Sequence, residues 1–376
     1  MSKKKTGPRK GGDSTRKFSN RNTKDFTGGG ILALPRRPGT TGDKEFDDKV
    51  RDLVKSWDCG DSNSLIEEMI ITSLVMGKDG INDADLKLYN RALKEHRASS
   101  RVFGPYSAER KVSMFGSART RPDEVEYKTA QEFARKMADA GFMGITGAGP
   151  GIMGAAQSGS GRDNSFGLGI NLPFEAGANE TIEGDHKLIN FNYFFTRKLA
   201  FVKESDATAA FPGGFGTMDE IFEVLTLMQT GKASIFPITL IDAPGGTYWK
   251  TWVQFVREHL FRLGLISEDD FSLFLVTDDV DEAVEEITGF YSNFHSYRYV
   301  GKECVLRLQK PVDERMLIII DHEFRDLLEE GEFEACSALK EEKDEPALKH
   351  LHRLKFHNKK GESGRLRKLI DKINEF

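Results

Sequence analysis

Between residues 111 and 294, short apolar or β-branched runs alternate with stretches whose apolar residues recur at helical spacing. The runs KVSMFGS, FMGIT, FGLGINL, KLINFNYF, ATAAFPG, FPITLID and LFLVT read as strands. Helices are predicted between most of them, around Tyr127 to Ala140, Ile152 to Ser158, Thr196 to Glu204, Met218 to Thr230, Tyr248 to Leu263 and Val280 to Tyr291. Strand and helix in alternation make a parallel sheet covered on both faces. The glycines that follow the strands point to a doubly wound, Rossmann-like α/β fold, with its ligand crevice at the carboxyl ends of the strands.

The flanks have other patterns. Residues 1–42 are basic, polar and almost without apolar side chains, so they cannot offset their ordering entropy and read as a disordered tail. Residues 43–105 read as a helical extension. Leu53, Val54 and Trp57, then Leu65, Met69 and Leu74, lie at helical spacing; Gly77 stands where a C-cap is expected, and Asn82 opens a third helix through Leu86, Tyr89 and Leu93. Residues 106–295 form the expected nucleotide-binding domain. Residues 296–376 read as a small α+β piece packed on it, with strands CVLRLQ and RLKFHN and helices at 312–330 and 363–374.

Composition narrows the class. The chain has 376 residues and a formal net charge of −5, so nucleic acid is not an expected partner. No apolar run approaches the roughly 20 residues that span a bilayer. Cys59, Cys304 and Cys336 are too dispersed for a disulfide framework or a metal pair. A cytoplasmic protein without a metal or a cofactor is expected.

Two glycine-rich loops carry the candidate chemistry. TGAGPGIMGAA follows a strand and opens a helix. Gly147, Gly149 and Gly151 permit a tight turn and close approach to a ligand, and the helix start offers amides suited to a phosphate. A dehydrogenase fingerprint would occupy the first strand–helix turn, which here is GSART, with Ser117 at the strand end. In the second loop, FPGGFGTMDE, Pro212 closes the strand, Gly213, Gly214 and Gly216 free the backbone, and Thr217 opens the next helix. Two such loops at neighbouring strand ends suit one phosphorylated ligand, and a dinucleotide would also satisfy them.

Glu220 has two readings. Thr217-Met218-Asp219-Glu220 fits a capping box, and spacing alone favours the cap over catalysis. Arg197 shares a helix face with Phe194 and Phe201, a setting that fits a carboxylate, phosphate or base, or else a snorkelling side chain. Lys198 is a second candidate for the same role.

FTRK at 195–198, PGGFGTMDE at 212–220 and GAGPGIMG together resemble the LOG (Lonely guy) family, long mislabelled as lysine decarboxylases. The family pattern is an Arg-Lys pair followed by PGGxGTxxE, and the distance from Arg197 to Glu220 matches it without a gap. The resemblance covers roughly residues 111–294. The outer segments look like those of the longer bacterial members. Ala148 interrupts the glycine triplet of the compact members, and Thr196 departs from their usual triplet before the Arg-Lys pair.

The resemblance implies a phosphoribohydrolase that splits a nucleoside 5′-monophosphate, AMP-like or a cytokinin riboside monophosphate, into free base and ribose 5-phosphate. It implies Glu220 and Arg197 as catalytic residues and Gly213, Gly214, Gly216 and Thr217 as the 5′-phosphate seat. Gly147, Gly149, Gly151, Ser117 and Lys198 would line the nucleotide pocket, and the protein would be a homodimer or larger homo-oligomer. The alternative is a non-catalytic carrier of a nucleotide or of the molybdenum cofactor on the same fold. A decarboxylase would need pyridoxal phosphate, and no lysine lies in a context that suggests a Schiff base.

Overall fold

The computed structural model describes residues 39–172 and 177–376. The expected tail lies outside them except for its last residues. Seven parallel strands form the central sheet: β1 (Lys111–Phe115), β2 (Met143–Thr146), β3 (Ser165–Ile170), β4 (Leu188–Phe191), β5 (Ala207–Ala210), β6 (Ile238–Ile241) and β7 (Leu275–Thr277). Their order is β4-β3-β2-β1-β5-β6-β7. The chain winds outward from β1 to β4, crosses back, and winds outward again from β5. The order therefore reverses between β1 and β5, where such sheets open a crevice at their carboxyl ends.

All five residues of β1 are buried, as a strand covered on both faces requires. Val112 and Met114 face helices α4 (Val125–Asp139), α5 (Ile152–Ser160) and α9 (Val280–Phe290). Phe115, Ile145, Phe166 and Leu240 face the other way, toward α6 (Phe194–Glu204), α7 (Phe215–Gln229) and α8 (Tyr248–Phe255).

The N-terminal segment is helical as expected: α1 (Lys44–Trp57), α2 (Asn63–Lys78) and α3 (Asp83–Phe103), the last capped by Asn82. Its apolar spacing misleads, however. Val50, Val54 and Ile71 make the small buried cluster, while Leu53, Leu65, Met69 and Leu74 are exposed and Trp57 is 82 % exposed. Gly77 lies inside α2 rather than at its end; Gly80, with φ +71°, takes the left-handed position beyond it.

The C-terminal piece is a four-stranded antiparallel sheet in the order β10-β11-β9-β8, with β8 (Phe294–Val300), β9 (Glu303–Leu308), β10 (Leu328–Cys336) and β11 (His352–Asn358), plus helices α10 (Glu314–Phe324) and α11 (Ser363–Asn374). The helix expected over 312–330 stops at Phe324, and its end becomes β10. That strand is a mostly exposed edge with irregular register, so its sequence carries no buried alternation. Leu306, Leu354 and Phe356 share one apolar core with Phe290, Ile235 and Trp249 of the parallel-sheet layer.

Candidate active site

The three loops at the carboxyl ends of β2, β1 and β5 meet at the strand-order reversal. The two glycine-rich loops are not direct neighbours, as their sequence suggests, because β1 stands between their strands. The loop after β1 ties them together through its backbone. Ser117 N–H donates to Pro212 O at 3.1 Å, and Ser117 O accepts from Ile152 N–H at 2.9 Å. Its hydroxyl accepts from the Arg119 amide at 3.1 Å. Gly151 has φ +66°, and a Cβ there would lie 2.3 Å from Ser117 O, so only glycine fits at this crossing.

The first glycine loop is held from an unexpected quarter. Asn179 Nδ2 donates to Ala148 O and Gly149 O, both at 3.0 Å, and Asn179 N–H donates to Ala148 O at 2.8 Å. Ala148 is buried with φ +64°, a left-handed conformation that costs an alanine about 1 kcal/mol. Ala148 thus holds a backbone conformation that glycine adopts freely, with Asn179 bracing it. Asn179 stands outside every motif, and nothing in its sequence context signals the role.

The second loop separates its glycines. A Cβ on Gly213 would lie 2.1 Å from Thr217 Oγ1 and 3.1 Å from Ser117 N, so packing alone demands glycine there. A Cβ on Gly214 or Gly216 would meet nothing within 4 Å, and neither residue has a positive φ. Neither packing nor backbone geometry demands these two glycines, and both border open space. Gly214 is the N-cap of α7, and no side chain caps that helix. Tyr248 donates its hydroxyl to Gly213 O at 2.5 Å and steadies the turn.

This start of α7 removes the capping box. Thr217 lies within the helix, so Glu220 falls in its second turn and has no cap to complete. Glu220 is 5 % exposed, and its Oε2 accepts no hydrogen bond. Burial lifts its carboxyl to about 7, against the downward pull of Lys198 and Arg197. Lys198 Nζ stands 3.8 Å from Glu220 Oε2, 2.9 Å from Asp219 Oδ2 and 2.5 Å from Glu223 Oε2. Burial works against the Lys198 ammonium, but Glu223, Asp219 and Glu220 outweigh it and hold its pKa above the ordinary lysine value.

Arg197 and Lys198 sit side by side in the first turns of α6. The guanidinium lies 5.9 Å from the Phe194 ring and 5.4 Å from the Phe201 ring, so the predicted aromatic face is real. It reaches the first glycine loop: a Cβ on Gly147 would lie 3.1 Å from Arg197 Nη2. A Cβ on Gly149 would lie 2.8 Å from Met153 Cε, so that glycine makes room for a neighbouring side chain. At the rim, Phe194 is half exposed and Phe215 is 94 % exposed. The structure thus gathers Arg197, Lys198, Glu220 and the open backbone around Gly214 and Gly216 at one end of the sheet. A cavity of about 660 Å³ between Lys232, Tyr299 and Lys360 shares no residue with this cleft.

Residues 153–287 match a family described as possible lysine decarboxylase. The chain is 30 % identical over 94 residues to the cytokinin riboside 5′-monophosphate phosphoribohydrolase LOG1 of Arabidopsis thaliana, covering 25 % of this chain and 42 % of that protein. It is 38 % identical over 60 residues to LOG3 of the same plant, covering 16 % and 26 %. The chain thus spans less than half the length of these curated relatives. Among solved structures, the molybdenum cofactor binding protein from Rippkaea orientalis aligns over 48 % of this chain and 96 % of its own, at 17 % identity and a TM-score of 0.35. A molybdenum cofactor carrier protein from Chlamydomonas reinhardtii aligns over the same shares at 18 % and 0.35. Those two likenesses are too slight to speak to ligand or activity. The matched sequence segment holds both the Arg197–Lys198 pair and the PGGFGTMDE turn, and over it the chain is similar to the LOG phosphoribohydrolases.

Proposed function

We propose that the protein hydrolyses the N-glycosidic bond of a nucleoside 5′-monophosphate, releasing the base and ribose 5-phosphate. The observation that carries this reading is Glu220: a buried carboxylate with an oxygen that accepts no hydrogen bond, poised near neutrality beside two cations at the switch point of the sheet. The open backbone at Gly214 and Gly216, at the uncapped start of α7, seats the 5′-phosphate, with Thr217 behind it.

Bond cleavage sends the glycosidic electron pair to the base nitrogen and leaves positive charge on the ribose. Ionised Glu220 stabilises that charge. A water adds its oxygen to the anomeric carbon and gives its proton to Glu220, the departing base nitrogen takes up a proton from solvent, and Glu220 returns its proton to solvent to reset the site. Arg197, spanning from α6 to Gly147, holds the nucleotide against the loops and keeps Glu220 ionised. The family's decarboxylase label finds no support at Lys198. A Schiff-base lysine must lose its proton, whereas three carboxylates hold this one charged.

Incubation with AMP should release adenine and ribose 5-phosphate in equal amounts, and adenosine should react with a catalytic efficiency lower by orders of magnitude. AMP that binds and stays intact would make the protein a carrier. Equal rates on the two substrates would remove the phosphate seat. A scan of purine, pyrimidine and cytokinin monophosphates then identifies the base.

A further inference from the structure

The helical layer that precedes the sheet sends one carboxylate into the cleft's framework. Glu95, on α3, is only 5 % exposed. Its Oε1 accepts from the Asn192 amide at 3.1 Å and from Asn192 Nδ2 at 2.7 Å, and its Oε2 accepts from Thr196 Oγ1 at 2.6 Å. These donors bracket the start of α6. Asn192 precedes the N-cap, Tyr193, which supplies no side-chain cap of its own, and Thr196 lies in the first turn. The same hydroxyl lies 2.9 Å from Tyr193 O and shares its one proton between the two acceptors, closing the bracket. The carboxylate's negative charge lies at the positive end of the α6 dipole. The residues it grips are contiguous with Arg197 and Lys198, and the first backbone bond of Arg197 returns to Tyr193 O at 3.3 Å.

We propose that Glu95 is a positioning residue that fixes the first turn of α6, so that the Arg197 guanidinium is held against the Gly147 loop. The assignment rests on the reading of Arg197 as a nucleotide-binding group. It gives the N-terminal helices a part in the reaction. Thr196, a departure from the compact members of the family, is the contact through which that part is played. An arginine at the end of a flexible side chain gains precision only if its helix start cannot drift, and an ångström of drift in a catalytic group can cost about a hundredfold in rate.

The test is a double-mutant cycle in the full chain. Glu95→Ala should lower kcat/KM on AMP by about tenfold or more. Glu95→Gln should recover it to within about threefold, because an amide oxygen still accepts from Asn192 and its NH₂ can donate to the Thr196 hydroxyl. In an Arg197→Ala background, Glu95→Ala should cost less than about twofold, since the group it positions is gone. A purely structural glutamate gives the same loss in both backgrounds. That additivity, or a Glu95→Ala variant within twofold of wild type, overturns the assignment. If Glu95→Ala does not fold, Thr196→Val removes one oxygen's contact and should show a smaller loss with the same non-additivity. If the wild-type protein binds AMP without releasing base, the proposed reaction fails, and the cycle is read on AMP affinity by calorimetry. If it binds no AMP, hydrogen exchange of the 194–198 amides decides: exchange unchanged in Glu95→Ala overturns the bracket itself.

Discussion

Replacing Glu220 by Gln separates its chemistry from its burial, because the two effects have opposite signs. The carboxyl is raised from 4.5 to about 7, so ionising it in the folded chain costs about 3 kcal/mol relative to the unfolded chain. The folded protein holds this proton more tightly than the unfolded one. Its stability therefore falls as pH rises from about 4.5 to about 7, and is lowest above that window. Gln carries no such charge. Near pH 8, Glu220→Gln should be more stable than wild type by about 1–3 kcal/mol, and near pH 4 the difference should vanish. Catalysis goes the other way. An amide cannot stabilise the ribosyl cation or take a proton from water, and losing that interaction costs about 3–4 kcal/mol, a hundredfold to a thousandfold in rate. Urea denaturation at several pH values gives the first quantity and adenine release gives the second. A variant less stable than wild type at pH 8 would refute the argument from burial, for it would mean that the carboxylate makes a stabilising contact. Turnover within about fivefold of wild type would remove Glu220 from the mechanism.

The same raised carboxyl predicts the pH profile of the free enzyme: kcat/KM on AMP should fall about tenfold per pH unit below about 7 and level off above it, whereas a profile flat from pH 5 to 8 would contradict the need for an ionised Glu220. Gly216→Ala meets open space within α7, so the fold should gain up to about 1 kcal/mol from helix propensity while the affinity for AMP drops, measured by calorimetry; unchanged affinity would move the phosphate elsewhere. A chain starting at Gly39 keeps Thr40 and Thr41 and their hydrogen bonds to Asp47 at the start of α1, and should retain full turnover in a coupled assay for ribose 5-phosphate.

Strand–helix alternation made the parallel sheet legible in the sequence, and the seven runs fall on its seven strands. The motifs located Arg197 and Glu220, but the local spacing around Glu220 pointed to a cap. That inference failed because the helix begins at Phe215, three residues earlier than a Thr217 cap requires. Boundaries of this kind depend on how a turn packs, here on Gly213 pressed against Thr217 and Ser117, which no short-range pattern encodes. Glu95 and Asn179 were invisible for a related reason. Each acts on residues about 97 and 31 positions away, and a lone carboxylate or amide on a polar stretch carries no periodic signal. The apolar positions of α1 and α2 misled in the opposite direction: helical spacing shows that a face exists, not that anything covers it.

The bridge through Ser117 divides the cleft into parts that tolerate change differently. Its links to Pro212 and Ile152 run from main chain to main chain, so any residue able to hold the same backbone leaves the floor intact. The rim is built of side chains, Phe194 and Phe215 among them, each open to replacement one at a time. Under the proposed function, a lineage trades one base for another by editing the rim while the proposed phosphate seat stays in register. On that reading, substrate range is the evolvable property of this architecture, and dependence on a phosphate the inherited one.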